Sequence, residues 1–218
     1  MTNIFCIVGR SGAGKSYYYN SITLDSKFMK KAKLEPLVYG TTRPPRSGEK
    51  DGIDYNFMSV EDYNKINKNK LIEFRSYNRI DGTVYYFTLT DYIASKSQNL
   101  ICTASLFQYE SYRNWVNIEN IKNPNSYKLY LIILDANVKN RLFRIVERRC
   151  KNDADIYEAC RRIVEENAEF SQVSSRVPEL IDPMSYNTVV YINTDNISND
   201  NNLYNLNKIK DFILLKNI

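Results

Sequence analysis

Five apolar runs with strand character punctuate the chain: Ile4–Val8, Leu37–Tyr39, Leu100–Thr103, Lys128–Leu134 and Thr188–Ile192. They are nearly continuous rather than alternating, which is the pattern of strands covered on both faces. Helical patterns lie among them. Ser16–Leu24 follows the first run, Ala136–Arg149 and Asp155–Ser171 follow the fourth, and Leu203–Leu215 closes the chain. Buried strands alternating with helices predict an α/β fold, a parallel sheet flanked by helices. Between residues 41 and 93 the rhythm changes. A Pro/Gly-rich stretch, Arg43-Pro44-Pro45-Arg46-Ser47-Gly48, precedes a short helical pattern near Glu61–Asn69 and aromatic-rich strands about Ile72–Tyr77 and Val84–Thr88. This predicts a small mixed α+β region inserted into the core, while polar Asn196–Asn202 reads as a loop.

Composition narrows the chemistry. At 218 residues the chain has the length of one domain, with 43% hydrophobic and 25% charged residues, ordinary for a globular protein. A net charge of +5 is too mild to imply nucleic-acid binding. Cys6, Cys102, Cys150 and Cys160 form no CxxC pair, and Cys6 and Cys102 fall in apolar runs, so they read as buried free thiols. There is no histidine, which excludes imidazole acid–base chemistry and His metal ligation. No apolar stretch approaches the ~20 residues of a membrane span, and no basic leader precedes Ile4. The expectation is a cytoplasmic protein without a membrane or nucleic-acid partner.

Gly9-Arg10-Ser11-Gly12-Ala13-Gly14-Lys15-Ser16 matches GxxxxGK[ST], with an apolar strand before it and a helical pattern after it. Glycines let backbone N–H groups turn inward around a phosphate, and the helix N-terminus adds its dipole. A nucleotide phosphate is the expected ligand of Gly9, Ser11, Gly12, Ala13, Gly14, Lys15 and Ser16, and the loop alone leaves ATPases and GTPases equally open. Lys15 would contact the β- and γ-phosphates, and the Ser16 hydroxyl would ligate Mg²⁺.

A second anion site is written in the inserted region. Two guanidinium groups three residues apart, Arg43 and Arg46, stiffened by Pro44 and Pro45, can grip a dianion. The full stretch Thr41-Thr42-Arg43-Pro44-Pro45-Arg46-Ser47-Gly48-Glu49-Lys50-Asp51-Gly52-Ile53-Asp54-Tyr55-Asn56-Phe57 resembles the guanylate kinase signature TTRxPRxGExxGxDYxF. The resemblance implies a P-loop nucleoside monophosphate kinase, a single domain over 1–218 that transfers phosphate from ATP to GMP or dGMP. It implies that Thr42, Arg43, Arg46 and Tyr55 line the acceptor phosphate site. Leu71-Ile72-Glu73-Phe74 is similar to the family's FIEW segment, making Glu73 the acceptor for guanine N1 and N2. Tyr85-Tyr86-Phe87-Thr88 is similar to YYGxS, which assigns Tyr86 to the phosphate and Thr88 to the base; sheet packing is the other reading of either tyrosine.

Arg141, Arg144, Arg148 and Arg149 share a helical pattern, and Arg161-Arg162 follow. The resemblance implies an arginine-bearing lid, with Arg144, Arg148 and Arg162 as candidate catalytic cations, although each equally suits a solvated basic face. The expected division is a core of 1–40, 94–143 and 163–218, a monophosphate-binding region of 41–93, and a lid of 144–162. Asn193 corresponds to a segment lining adenine. The chain also departs from the family pattern. Tyr39 stands where a serine near guanine O6 is usual, Phe87 replaces a glycine, and Ile101-Cys102-Thr103-Ala104-Ser105-Leu106 lacks an Asp-x-Asp. An acceptor other than guanine, or a non-catalytic binding module, therefore stays open, as does the choice between monomer and homodimer. Asp135, ending the fourth run, is expected to cap the next helix.

Overall fold

A computed structural model describes residues 1–79, 82–150, 152–153, 155–157, 159–161, 163–164, 188–196 and 198–217; of Arg79, Arg148 and Arg149 it describes the backbone alone. Five parallel strands form the core sheet: β1 (Thr2–Gly9), β2 (Leu34–Pro36), β7 (Asn99–Ala104), β8 (Tyr127–Asp135) and β9 (Val189–Asn193), in the order β2-β7-β1-β8-β9. Strand β1 is central because every residue from Ile4 to Val8 is fully buried. Its odd positions, Phe5 and Ile7, pack with Tyr130 and Ile132 of β8 against Tyr18 and Ile22 of α1 (Lys15–Thr23) and Ile209 and Ile213 of α7 (Asn199–Lys216). Its even positions, Ile4, Cys6 and Val8, pack with Leu129, Leu131 and Ile133 against Tyr109, Tyr112 and Val116 of α5 (Leu106–Lys122). Each such side chain contributes about 1.5–3 kcal/mol by leaving water. Cys6 and Cys102 are register partners on β1 and β7 with their sulfurs 3.5 Å apart, and burial pushes the Cys6 thiol well up.

A second, four-stranded sheet lies in the inserted region: β3 (Gly40–Thr41), β4 (Asn56–Phe57), β5 (Leu71–Arg79) and β6 (Gly82–Leu89), ordered β4-β3-β6-β5. One of its faces rests on α3 (Val60–Lys65), where Tyr63 stacks on Tyr85 with ring centroids 4.3 Å apart and meets Phe87 at 4.9 Å. A short helix, α4 (Thr90–Ala94), returns the chain to the core.

Several expectations shift. The run predicted as a strand at Leu37–Tyr39 is the crossing between two sheets, with β2 ending before it in the core and β3 beginning after it in the insert. Leu37 still donates its N–H to Ile101 O at 2.9 Å, but the chain then leaves the core sheet. The helix expected at Glu61–Asn69 is α3 followed by a single 3-10 turn at Lys68–Lys70. Helix α5 was not expected; its buried residues Leu106, Tyr109, Tyr112 and Val116 form a helical stripe diluted by polar neighbours. Asp135 does not cap the helix after β8. It ends the strand, and Asn137 caps α6 (Val138–Arg149) by accepting from Asn140 N at 2.9 Å. The Asp155–Ser171 pattern lies largely outside the described residues.

Candidate active site

The turn after β1 carries the first candidate anion-binding element. Gly12 and Gly14 adopt φ of +80° and +95°, a left-handed backbone that other residues enter at a strain cost. Gly12 also has no room for a side chain, because a Cβ there would lie 2.5 Å from the carbonyl oxygen of Arg141. The turn closes with Ala13 N donating to Arg10 O at 3.1 Å, and α1 starts at Lys15 with no carboxylate in its first turn. The positive end of the α1 dipole is therefore uncontested by acid groups within its own first turn. Lys15 Nζ folds onto the carbonyls of Gly9 and Arg10, and the Ser16 side chain is exposed.

This loop is braced from two other elements. Arg144 of α6 donates through Nη1 to Gly12 O at 3.1 Å and through Nη2 to the carbonyls of Thr194 and Asp195. Thr194 Oγ1 in turn lies 3.0 Å from Ala13 O and 3.1 Å from Asp135 O. Arg144 is thus joined to backbone oxygens, and Thr194, absent from the sequence expectations, locks the loop to the ends of β8 and β9. Exposed Asn193 accepts from Asp195 N at 2.8 Å. Arg162, and the side chain of Arg148, lie outside the described residues.

In the insert, Arg43 is 4% exposed and fully engaged. Its Nη2 meets both Glu49 oxygens at 2.9 Å, Nη1 donates to Pro44 O at 2.7 Å, and Nε donates to the Tyr86 hydroxyl at 3.2 Å. Burial works against the Arg43 charge, but the Glu49 and Tyr86 bonds outweigh it and hold the guanidinium pKa above its usual value. Glu49 also accepts from Arg46 N at 2.7 Å; that bond, with Arg43, keeps its carboxyl below the usual range despite partial burial. Sequence reasoning named Arg43 and missed Glu49, which sets the loop. The Tyr55 ring lies edge-on to Tyr86 at 5.8 Å and beneath the Arg43 guanidinium at 5.5 Å, so these three residues form one cluster. The Arg46 side chain is exposed at the loop. Thr42 is buried and its hydroxyl accepts from Tyr85 N at 2.9 Å, which extends the β3–β6 pairing.

A second cluster joins insert to core. Glu73 is 5% exposed, and its Oε1 accepts from Thr88 Oγ1 at 2.9 Å and from Gln108 Nε2 at 3.2 Å. The Tyr112 hydroxyl lies 2.9 Å from Thr88 Oγ1. With the threonine proton given to the carboxylate, Tyr112 is the donor in that pair. Burial raises the Glu73 carboxyl pKa, and the bonds from Gln108 and Thr88 and the charge of Arg75 pull against that rise. Gln108 and Tyr112 were missed. The available signal was Ser105-Leu106-Phe107-Gln108, a capping box in which Gln108 Oε1 accepts from Ser105 N at 3.0 Å and Ser105 Oγ accepts from Gln108 N at 3.2 Å. Tyr39, on the crossing, donates its hydroxyl to Thr103 O at 2.7 Å, and burial pushes its phenol well up. Phe87 explains its own departure. Gly40 is its partner across β3 and β6, and the bare Cα leaves space for the Phe87 ring.

Among the described residues, no three His, Cys, Asp or Glu side chains cluster as a metal cage, and no helix is long and apolar enough to cross a membrane.

A family model described as guanylate kinase matches residues 1–84. The guanylate kinase of Mycoplasma genitalium is 28% identical over 173 residues, covering 79% of this chain and 65% of its own length. That of Schizosaccharomyces pombe is 43% identical over 60 residues, 28% of each chain. A crystal structure of guanylate kinase from Anaplasma phagocytophilum aligns over all of this chain and 87% of that one, at 15% identity and a TM-score of 0.48. The chain thus spans just under two thirds of the Mycoplasma relative's length and little more than a quarter of the yeast one's. The matched residues 1–84 contain the Gly9–Ser16 loop, the Arg43–Glu49 turn and Glu73, so the likeness to guanylate kinases falls on the part of the chain that carries most of the candidate site.

Proposed function

We propose that the chain is a phosphotransferase that moves the terminal phosphoryl group of ATP to GMP or dGMP. One observation carries this reading. A buried carboxylate, Glu73, is held on one oxygen by Gln108, whose helix begins where β7 ends, while β7 pairs directly with the strand that launches the phosphate loop, Val8 opposite Ala104. A base-reading acid and a phosphate cradle at the carboxyl ends of adjacent parallel strands suit a donor and an acceptor nucleotide meeting at that rim. In this reading 41–93 is the monophosphate-binding region, 144–162 the lid, and the remainder the core.

The chemistry asks little of protein acids or bases. The attacking atom is a phosphate oxygen of the acceptor, already ionised near neutral pH because a phosphomonoester's second pKa is about 6. Catalysis is then positioning and charge neutralisation. Lys15 and the backbone N–H groups of Gly12, Gly14, Lys15 and Ser16 would hold the donor phosphates, with Arg144 keeping the loop in shape. Arg43, Arg46, Tyr55 and Tyr86 would hold the acceptor phosphate, and Glu73 and Thr88 the base. The exposed Ser16 hydroxyl fits Mg²⁺ as a single protein ligand beside nucleotide phosphate oxygens, an ordinary arrangement for that ion. The metal would supply charge neutralisation at the donor phosphates.

Incubation with Mg·ATP and a panel of ribo- and deoxyribonucleoside monophosphates, with diphosphate formation as readout, tests the proposal. GMP and dGMP should be phosphorylated, and Lys15→Ala should lower kcat by about 10²–10³ without changing the melting temperature. Absence of transfer to either guanine nucleotide refutes it. Tyr39, with its hydroxyl committed to Thr103, favours a broadened acceptor choice as the second reading, and turnover of other bases in the same panel would establish that.

A further inference from the structure

Two buried polar atoms in the acceptor region find no hydrogen-bond partner among the described residues: Glu73 Oε2 and Arg75 Nε. They are two positions apart on β5, so their side chains leave the same face of the strand. Register fixes which face. Arg75 lies directly opposite Tyr86 on β6, Glu73 opposite Thr88 and Tyr77 opposite Val84. Opposed residues of an antiparallel pair share a face. Arg75 therefore sits between the base candidate Glu73 and the Tyr86 that meets Arg43, on the side away from the Tyr63–Phe87 packing. Its charge is felt at Glu73, but no hydrogen bond joins the two.

An acceptor oxygen and a donor nitrogen, both buried, both unmatched and side by side, are complementary to a ligand edge that presents a donor next to an acceptor. Guanine presents that sequence along its Watson–Crick edge, with N2–H and N1–H as donors and O6 as the neighbouring acceptor. Adenine presents the reverse at N1 and N6. We infer that Arg75 is a base-reading residue of this site, donating to O6 of the acceptor purine while Glu73 Oε2 accepts from N1–H and N2–H. The inference rests on the proposed guanine-nucleotide acceptor. It also gives O6 a partner in a chain where Tyr39 has turned its hydroxyl to Thr103.

The test pairs a protein change with a ligand change. Wild type and Arg75→Met are assayed for kcat/KM with GMP, with IMP, which lacks the 2-amino group, and with 2-aminopurine riboside monophosphate, which lacks O6 and with it the N1 proton, so that only the change caused by Arg75→Met on each substrate is compared. Arg75→Met should lower kcat/KM for GMP by about tenfold, the discrimination typical of a guanidinium on a guanine edge, and leave the O6-less analogue nearly unchanged. Preference for GMP over IMP, set by Glu73, should persist. Sustained turnover of the O6-less analogue also certifies that the variant is folded; if Arg75→Met does not fold, Arg75→Gln replaces it with the same substrates. Equal losses on GMP and on the O6-less analogue would overturn the inference, because they would mean that Arg75 serves the phosphate or the Glu73 charge. Failure of the wild type to phosphorylate GMP at all would instead refute the functional proposal beneath it.

Discussion

Gln108→Glu separates the two tasks of one side chain. Gln108 is 6% exposed, its Oε1 closes the capping box on Ser105, and its Nε2 reaches Glu73 Oε1 at 3.2 Å. Glutamate keeps the capping acceptor, removes the donor, and sets a second carboxylate against the first. Loss of a hydrogen bond to a charged group is worth about 1.5–3 kcal/mol. If that bond holds Glu73 ready for the base, kcat/KM for GMP should fall by about 10- to 150-fold at neutral pH, with kcat/KM for ATP preserved. The pH dependence has a defined sign. Burial raises the Glu73 pKa and the Gln108 bond lowers it, so its removal, with a like charge beside it, moves the carboxyl further up. The acid limb of kcat/KM for GMP must therefore shift to higher pH. Arg75 on the same strand favours the ionised form, and Tyr112 on α5 and Tyr63 on α3 remain neutral through this range. The assay is coupled ADP release at varied GMP from pH 5.5 to 8.5, with Ser105→Ala as control. That control should lose about 1 kcal/mol of stability with its cap and keep the wild-type acid limb. A folded Gln108→Glu protein with a wild-type profile would refute the reasoning and leave Gln108 a cap alone.

Two further outcomes concern stability. A methyl group at Gly40 would sit 2.2 Å from Phe87 Cε2, so the fully buried ring would have to move by about 1.5 Å to reach ordinary contact. Gly40→Ala should cost about 1–3 kcal/mol, or roughly 3–10 °C in melting temperature, and the penalty should largely vanish in a Phe87→Ala background; additive losses would contradict the clash. Glu49, its carboxyl held low by Arg46 N and Arg43, stabilises the fold above the ordinary glutamate range and loses that contribution as pH falls through its lowered folded value. Glu49→Gln should therefore lower the melting temperature at neutral pH and flatten its decline on acidification; parallel wild-type and variant curves from pH 7 to 3 would dismiss the role.

The sequence exposes those parts of the site whose chemistry is local. Glycines at 12 and 14 announce the loop because only their backbone accommodates the turn, and the Arg-Pro-Pro-Arg stretch with Tyr55 falls within one short segment. What escaped it depends on tertiary contact. Gln108 and Tyr112 reach Glu73 from a core helix whose apolar stripe is interrupted by polar residues, and Thr194 reaches the loop from the far strand. The i,i+4 spacing of Arg144 and Arg148 gave a shared helix face but could not name the carbonyls that Arg144 meets. Strand existence was readable from apolar runs, whereas the Leu37–Tyr39 crossing was not, because an apolar run looks alike whether it continues one sheet or passes to another. The cap moved from Asp135 to Asn137 because strand pairing with β9 carries β8 one residue further than its apolar run.

The sulfur pair at the middle of the core sheet makes the protein's reactivity a matter of its architecture. Cys6 and Cys102 face each other from neighbouring strands, without solvent access and, for Cys6, with the thiolate strongly disfavoured. An electrophile or oxidant reaches them only after β1 has parted from β7, and by then the Gly9–Ser16 loop that hangs from β1 has lost its footing. Exposed Cys160 is open to attack with the sheet intact. Chemical injury at the central thiols is thus a record of unfolding that has already happened, and injury at the surface thiol a record of exposure alone.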